Sequence, residues 1–98
     1  MHIEFTRSGG FAGLRINRTL DTATMSPDEA QELNGLIDSA AFFDLPEALR
    51  SAGADQLQYK ITIEREGKSH TVTADERAVP PGLSPLVKRL MAAARNRG

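Results

Sequence analysis

The chain has 98 residues, a formal net charge of −1 and no cysteine, which excludes disulfide bonds and thiolate chemistry and argues against a protein that coats nucleic acid or anionic membrane. Its hydrophobic content of 40% is enough for one core, so we expect a single domain over residues 1–98. No apolar run approaches the ~20 residues of a membrane span, and the N-terminus alternates like a strand instead of resembling a signal peptide, so we expect a cytoplasmic protein.

The first part of the chain predicts two strands and a helix. Apolar and polar side chains alternate over residues 2–7 and 13–20, which is the pattern of half-buried strands. A helix start follows, because Ser26 can cap the helix, Pro27 suits its first position and Glu29 completes a capping box. Apolar residues then recur at helical spacing and form one stripe.

The second part predicts two more strands and a second helix. Residues 44–56 are irregular, whereas residues 56–65 and 69–75 alternate as strands. Ser84 and Pro85 repeat the cap-and-proline start of a helix. The order ββαββα predicts an α+β two-layer sandwich, in which two helices pack on one face of an antiparallel four-stranded sheet.

The glycine-rich segment between the first two strands is the most informative feature of the sequence. Residues 8–13 contain three glycines and Phe11, although a two-residue turn is enough to join two strands. An aromatic side chain at such a tip either folds onto the core or meets a partner. Phe42 and Phe43, by contrast, follow an amphipathic helix, so we expect them to pack in the core.

The predicted path of the chain brings three irregular segments to one end of the sheet. If the first strand runs up, then residues 8–13, 42–56 and 79–82 all lie at the top, opposite a tight turn at Glu66 and Gly67. Loops that converge on a rigid scaffold are a frequent place for binding. We therefore expect a binding surface at this end.

The residues give little support to an enzyme. The two histidines, His2 and His70, lie on predicted strands without the partners at short spacing that a metal site needs. The glycine-rich segment lacks the Gly-x-Gly-x-x-Gly pattern and precedes a strand, so it does not predict a phosphate cradle. We expect a protein that is not an enzyme and has no cofactor and no metal of its own.

The last helix is basic and leaves a nucleic-acid-binding alternative open. It carries Lys88, Arg89 and Arg95, with Arg97 close behind and no acidic residue after Ser84. Cations are favourable near a helix C-terminus because of the helix dipole, so a solvated basic face is the preferred interpretation at this net charge.

Four blocks of the sequence, taken in order, resemble the emfourin family of bacterial inhibitors of protealysin-like, thermolysin-fold zinc metalloproteases. The blocks are SGGFAGL at 8–14, AFFDLP at 41–46, GADQLQY at 53–59 and PLVKRL at 85–90. The resemblance implies an inhibitor in which two neighbouring loops engage the protease. One loop offers an aspartate to the catalytic zinc, and the other offers apolar residues to substrate pockets.

Carried onto this sequence, the resemblance implies that Asp55 is the zinc-directed carboxylate, with Asp44 as the alternative. From the residues alone, an ordinary turn carboxylate is the preferred interpretation of Asp55. Leu57 has the phase of the strand that follows it, which also fits burial in the core. The residues expected to contact the protease are Gly9, Gly10, Phe11, Ala12, Gly13, Gly53, Ala54, Asp55 and Leu57.

The expected partner is thus a protealysin-like metalloprotease, with no nucleic acid and no membrane, and the free protein is expected to be a monomer. Two alternatives stay open. One is an intracellular interaction module that uses the same loops on another protein, and the other is a nucleic-acid adaptor that uses the basic helix. Inhibition of a purified protease separates the first interpretation from both.

Overall fold

A computed structural model of the chain describes residues 1–9, 15–51 and 57–95. Within these ranges the protein forms one sheet of five strands, two α-helices and three short 3-10 turns. The strands and helices are β1 (His2–Ser8), β2 (Ile16–Asp21), α1 (Pro27–Ser39), β3 (Ala48–Leu49), β4 (Gln58–Arg65), β5 (Lys68–Asp75) and α2 (Ser84–Arg95). The 3-10 turns are Thr22–Thr24, Phe42–Asp44 and Glu76–Ala78.

The sheet has the strand order β2-β1-β4-β5-β3, and all neighbours are antiparallel except β3, which is parallel to β5. The predicted α+β class with two helices is confirmed, but the predicted four-stranded antiparallel sheet is wrong, because the sheet is five-stranded and mixed. Ala48 and Leu49 lie opposite Thr73 and Ala74, and the Thr73 N–H donates to the Glu47 carbonyl at 2.8 Å. A strand of two residues is too short to show a period of two in the sequence.

The core lies between one face of the sheet and both helices. We call this face the inner face, and the opposite, mainly polar face the outer face. The buried apolar residues of the strands are Ile3, Phe5, Leu20, Ile61, Ile63, Val72 and Ala74, and those of α1, α2 and the chain before α2 are Leu33, Ile37, Leu83, Leu86, Val87 and Leu90. Phe42 is also buried and Phe43 packs half-buried against the core, as predicted.

The two helices start near the predicted residues and lie antiparallel. The Glu29 N–H donates to Ser26 Oγ at 3.3 Å, and the Ser26 hydroxyl donates to the Glu29 carboxylate at 3.1 Å, so Ser26 caps α1 as the sequence predicts. Arg89 of α2 contacts α1 through Glu32, with Nε to Oε1 at 2.6 Å. No helix within the described ranges is long and apolar enough to span a membrane.

The direction of α1 differs from the prediction. Asp21, at the end of β2, is level with Glu64 because both pair with His2, and α1 then ends beside Arg65, whose Nη1 lies 2.9 Å from Asp38. The helix therefore runs across the sheet near the Glu66 turn instead of climbing along the strands. The prediction that the whole of residues 42–56 lies at the opposite end is consequently wrong for its first part.

Residues 42–45 lie in the half of the sheet that is closer to the turn. His70 Nε2 is 2.7 Å from the carbonyl oxygen of Leu45, and the Arg65 guanidinium lies 5.1 Å from the centre of the Phe43 ring. The chain reaches the far end of the sheet only through β3. This rise from Leu45 to Leu49 is what adds the fifth strand.

Candidate functional site

The strand ends opposite the Glu66–Gly67 turn form a shared edge, which we call the loop end. Ser8 of β1 pairs with Gln58 of β4, and Gln58 in turn pairs with Asp75 of β5. The chain leaves β1 at Gly9 right beside the place where it enters β4. The described flanks of the two predicted binding loops are therefore neighbours in the sheet.

Two of the predicted contact residues lie within the described ranges. Gly9 is exposed and has a φ of 103°, in the left-handed region that favours glycine because a Cβ would be strained there. Leu57 is half-buried, and its carbonyl accepts a hydrogen bond from the Glu76 N–H at 2.8 Å. The other predicted contacts lie outside the described residues; they are Gly10, Phe11, Ala12, Gly13, Gly53, Ala54 and Asp55.

The strands on either side of residues 50–57 are not neighbours in the sheet. In the sheet, β3 lies on one side of β5 and β4 lies on the other. Two strand spacings separate β3 from β4, which is about 10 Å. The end of β5 is Asp75, so this residue lies between the described ends of the connection from β3 to β4, at Ser51 and Leu57.

Asp75 bonds to the described residues on both sides of that connection. It is 7% exposed, and its Oδ2 accepts the Ser51 N–H at 2.9 Å while its Oδ1 accepts the Gln58 side-chain amide at 2.9 Å. The hydrogen bond from Ser51, then that from Gln58, and more weakly the charge of Arg50 hold the pKa of Asp75 below its ordinary value. The carboxylate is therefore charged at neutral pH and uses both oxygens.

The sequence alone did not reveal Asp75. The residue closes an alternating strand and shares the outer face with Thr71 and Thr73, which are half-buried. Its two hydrogen bonds depend on the register that places it opposite Gln58 and on the pairing of β3 with the other side of β5. Neither feature leaves a local pattern in the sequence.

Tyr59 supports the loop end from the inner face. Its ring stacks on Phe5 with centroids 6.1 Å apart and planes at 16°, and its hydroxyl donates to Glu76 Oε2 at 3.4 Å. Burial raises the pKa of Tyr59, the carboxylate of Glu76 raises it further, and Arg7 works in the opposite direction. The uncharged phenol thus joins the core to the chain that follows β5.

Asp44, the alternative carboxylate, lies far from the loop end. It is exposed in the 3-10 turn Phe42–Asp44, next to the Leu45 carbonyl that contacts His70. His70 precedes Asp75 by five residues along β5, which at ~3.4 Å per residue is about 17 Å. Asp44 and the flanks of the two loops therefore do not share one surface.

The other groups considered from the sequence have structural partners. His2 is exposed near Glu4, at 3.8 Å, and His70 contacts a backbone carbonyl. Within residues 1–9, 15–51 and 57–95, no three His, Asp or Glu side chains are grouped so that they could hold a metal ion. Arg89 contacts Glu32 and lies 3.7 Å from Glu29, so part of the basic charge of α2 is neutralised by α1.

Comparisons with known proteins point to one family. The sequence profile of the emfourin family matches residues 5–91, from β1 to within α2. A similar solved structure is emfourin from Serratia proteamaculans, described as an M4 family peptidase inhibitor. The two sequences are 26% identical, the TM-score is 0.50, and the match covers 87% of this chain and 83% of that chain. A comparison with curated proteins gave no match.

Proposed function

Because the chain belongs to the emfourin family, a family of protease inhibitors and not of enzymes, we propose that it inhibits a protealysin-like, thermolysin-family zinc metalloprotease. The similar protein from Serratia proteamaculans inhibits M4 family peptidases. The observation in this chain that carries the proposal is the pairing of Ser8 with Gln58. It joins the flanks of the two segments that the family resemblance assigns to the protease.

In the proposed complex, both segments enter the cleft of the protease. Asp55 offers its carboxylate to the protease zinc, and Phe11 and Ala12 fill apolar substrate pockets. A catalytic zinc keeps one coordination position for water, and a carboxylate oxygen binds zinc at roughly 2.0–2.2 Å. A carboxylate in that position displaces the water that the zinc would activate as a nucleophile.

The position of Asp44 favours Asp55 as the carboxylate in this proposal. Asp55 lies between Ser51 and Leu57 in the sequence. The residue after Leu57 is Gln58, which pairs with Ser8 in one row of the sheet. Asp44 precedes β3, and the residue after Asp44 contacts His70, which lies about 17 Å from that row by strand length. A single compact cleft accepts neighbouring loops more readily than two separated surfaces.

The test is a titration of a purified protealysin-like protease with this protein, followed by hydrolysis of a peptide substrate. We expect activity to fall to near zero at a 1:1 ratio, and a zinc-binding hydroxamate in the active site to compete with the protein. Full activity in the presence of excess protein would refute inhibition. Binding without inhibition would instead support the interaction module that uses the same loops.

A further inference from the structure

Asp75 is an exception on the outer face of β5. On this face Ser69 is exposed and Thr71 and Thr73 are half-buried, whereas Asp75 is only 7% exposed. A buried carboxylate is costly unless its oxygens are hydrogen-bonded. Here both oxygens have partners, and each partner belongs to a different segment of the chain.

The two partners bracket one loop. Ser51 follows β3 and donates its backbone N–H, and Gln58 begins β4 and donates its side-chain amide, each at 2.9 Å. Between them lie residues 52–57. A third hydrogen bond, from the Glu76 N–H to the Leu57 carbonyl at 2.8 Å, holds the same end of the loop through the backbone.

We propose that Asp75 is a positioning residue, which holds Ser51 and Gln58 so that the loop between them is presented to the protease in its binding orientation. This role rests on the proposed function. A loop whose ends are fixed beforehand loses less conformational freedom on binding, which increases affinity. Hydrogen bonds to a charged carboxylate are about twice as strong as neutral ones, and the lowered pKa of Asp75 keeps the carboxylate charged.

Two substitutions at this position separate hydrogen bonding from the presence of a charge. Asp75→Ala removes both hydrogen bonds. Asp75→Asn can keep both, because its Oδ1 accepts the Ser51 N–H while its Nδ2 donates to the Gln58 oxygen once that amide has turned over. Thr73→Ala is the matched control, since it shortens a side chain on the same strand and face, and its hydrogen bond to Glu47 comes from the backbone.

Inhibition constants are measured well below the melting temperature of each variant, so that unfolded protein does not make inhibition look weaker. We expect Asp75→Ala to inhibit at least tenfold more weakly than the parent protein. Asp75→Asn should stay within threefold and Thr73→Ala within twofold. Equal inhibition by Asp75→Ala and the parent protein would overturn the proposal.

Hydrogen exchange of the Ser51 amide, followed by NMR on the free protein, gives a readout that does not need a protease. Exchange should be slow in the parent protein and in Asp75→Asn, and fast in Asp75→Ala. If the parent protein inhibits no protease, the proposed function fails, and this exchange alone decides about Asp75. Unchanged exchange in Asp75→Ala would overturn the role.

Gln58→Ala serves if Asp75→Ala does not fold. Gln58 is exposed, so its truncation disturbs the fold little. It removes one of the two hydrogen bonds that the Asp75 carboxylate accepts. We expect inhibition at least threefold weaker than that of the parent protein. Inhibition equal to that of the parent would contradict the positioning role.

Discussion

The carboxylate of Asp55 is the group on which the proposed inhibition depends most. Asp55→Asn preserves size but removes the charge that a zinc ion favours. We expect the variant to fold normally and to inhibit about 10²-fold more weakly, which corresponds to roughly 2.7 kcal/mol of binding. Inhibition constants against the same protease measure this effect.

Asp44→Asn is the matched control, because it makes the same chemical change in the exposed turn Phe42–Asp44. It should leave inhibition nearly unchanged. The reverse result, with Asp44→Asn weak and Asp55→Asn normal, would show that the wrong aspartate has been chosen. If neither substitution matters, the protease is blocked sterically and neither aspartate is a zinc ligand.

Phe11 provides a second test, because a side chain that meets a partner leaves the core intact when it is truncated. Phe11→Ala should weaken inhibition by at least tenfold, about 1.4 kcal/mol, while the melting temperature stays nearly constant. Loss of a buried phenylalanine typically costs ~3–5 kcal/mol of stability. A large fall in melting temperature would therefore identify Phe11 as a core residue.

Helix α1 ends in a conformation that its sequence does not favour. Ala41, just after the helix, has a φ of 49° in the left-handed region and is exposed, where an L-residue is strained by roughly 1–2 kcal/mol. Ala41→Gly should therefore raise the free energy of unfolding by about 0.5–1 kcal/mol, after allowance for the greater freedom of glycine in the unfolded chain. Urea unfolding followed by circular dichroism measures the change.

The neighbouring alanine provides the control for this prediction. Ala40 has a φ of −79° and is buried, so Ala40→Gly relieves no strain, adds freedom to the unfolded chain and removes a packed methyl group. We expect it to lower stability by about 1 kcal/mol. If the two substitutions changed stability in the same direction, relief of strain at Ala41 would not explain the effect of Ala41→Gly.

Elements with a strong local pattern were predictable, and those that depend on distant pairing were not. The alternation around Ile61 and Ile63 predicted β4, and Ser26 with Pro27 predicted the start of α1, because both signals lie within a few residues. β3 has two residues and pairs with a strand that comes later in the chain.

The candidate site shows the same division. The two loops were predicted to share one end of the sheet, and the pairing of Ser8 with Gln58 agrees with this, although the predicted path had α1 climbing along the strands. The buried carboxylate of Asp75 depends on the register of β4 and β5 and on the pairing of β3 with the other side of β5. Such a contact is a property of tertiary structure, and no spacing of residues encodes it.

The stability of the domain should depend on pH at both extremes. The pKa of Asp75 is lower in the folded protein than in the unfolded chain, so its contribution is complete above about pH 4 and is lost as the pH falls further. The pKa of Tyr59 is raised by folding, so stability falls as the pH rises above about 10. Between these limits both groups predict a plateau.

Unfolding free energies in urea from pH 2 to pH 11 measure this profile. Asp75→Asn should flatten the acid side, and Tyr59→Phe should flatten the alkaline side, since each removes the titrating group. Each substitution is the control for the other, because the two groups titrate in separate ranges. If stability fell as steeply at low pH in Asp75→Asn as in the parent protein, the loss would be due to other carboxylates.

The place of β3 at the edge of the sheet also determines when the loop end is completed during synthesis. β3 ends at Leu49, but its neighbour β5 begins at Lys68 and reaches the loop end only at Asp75. A ribosome delivers the chain from the N-terminus at ~5–20 residues per second, so residues 48–58 emerge before the strand that joins them exists. A nascent chain that stops short of Asp75 contains the glycine-rich segment but lacks the carboxylate to which Ser51 and Gln58 are hydrogen-bonded.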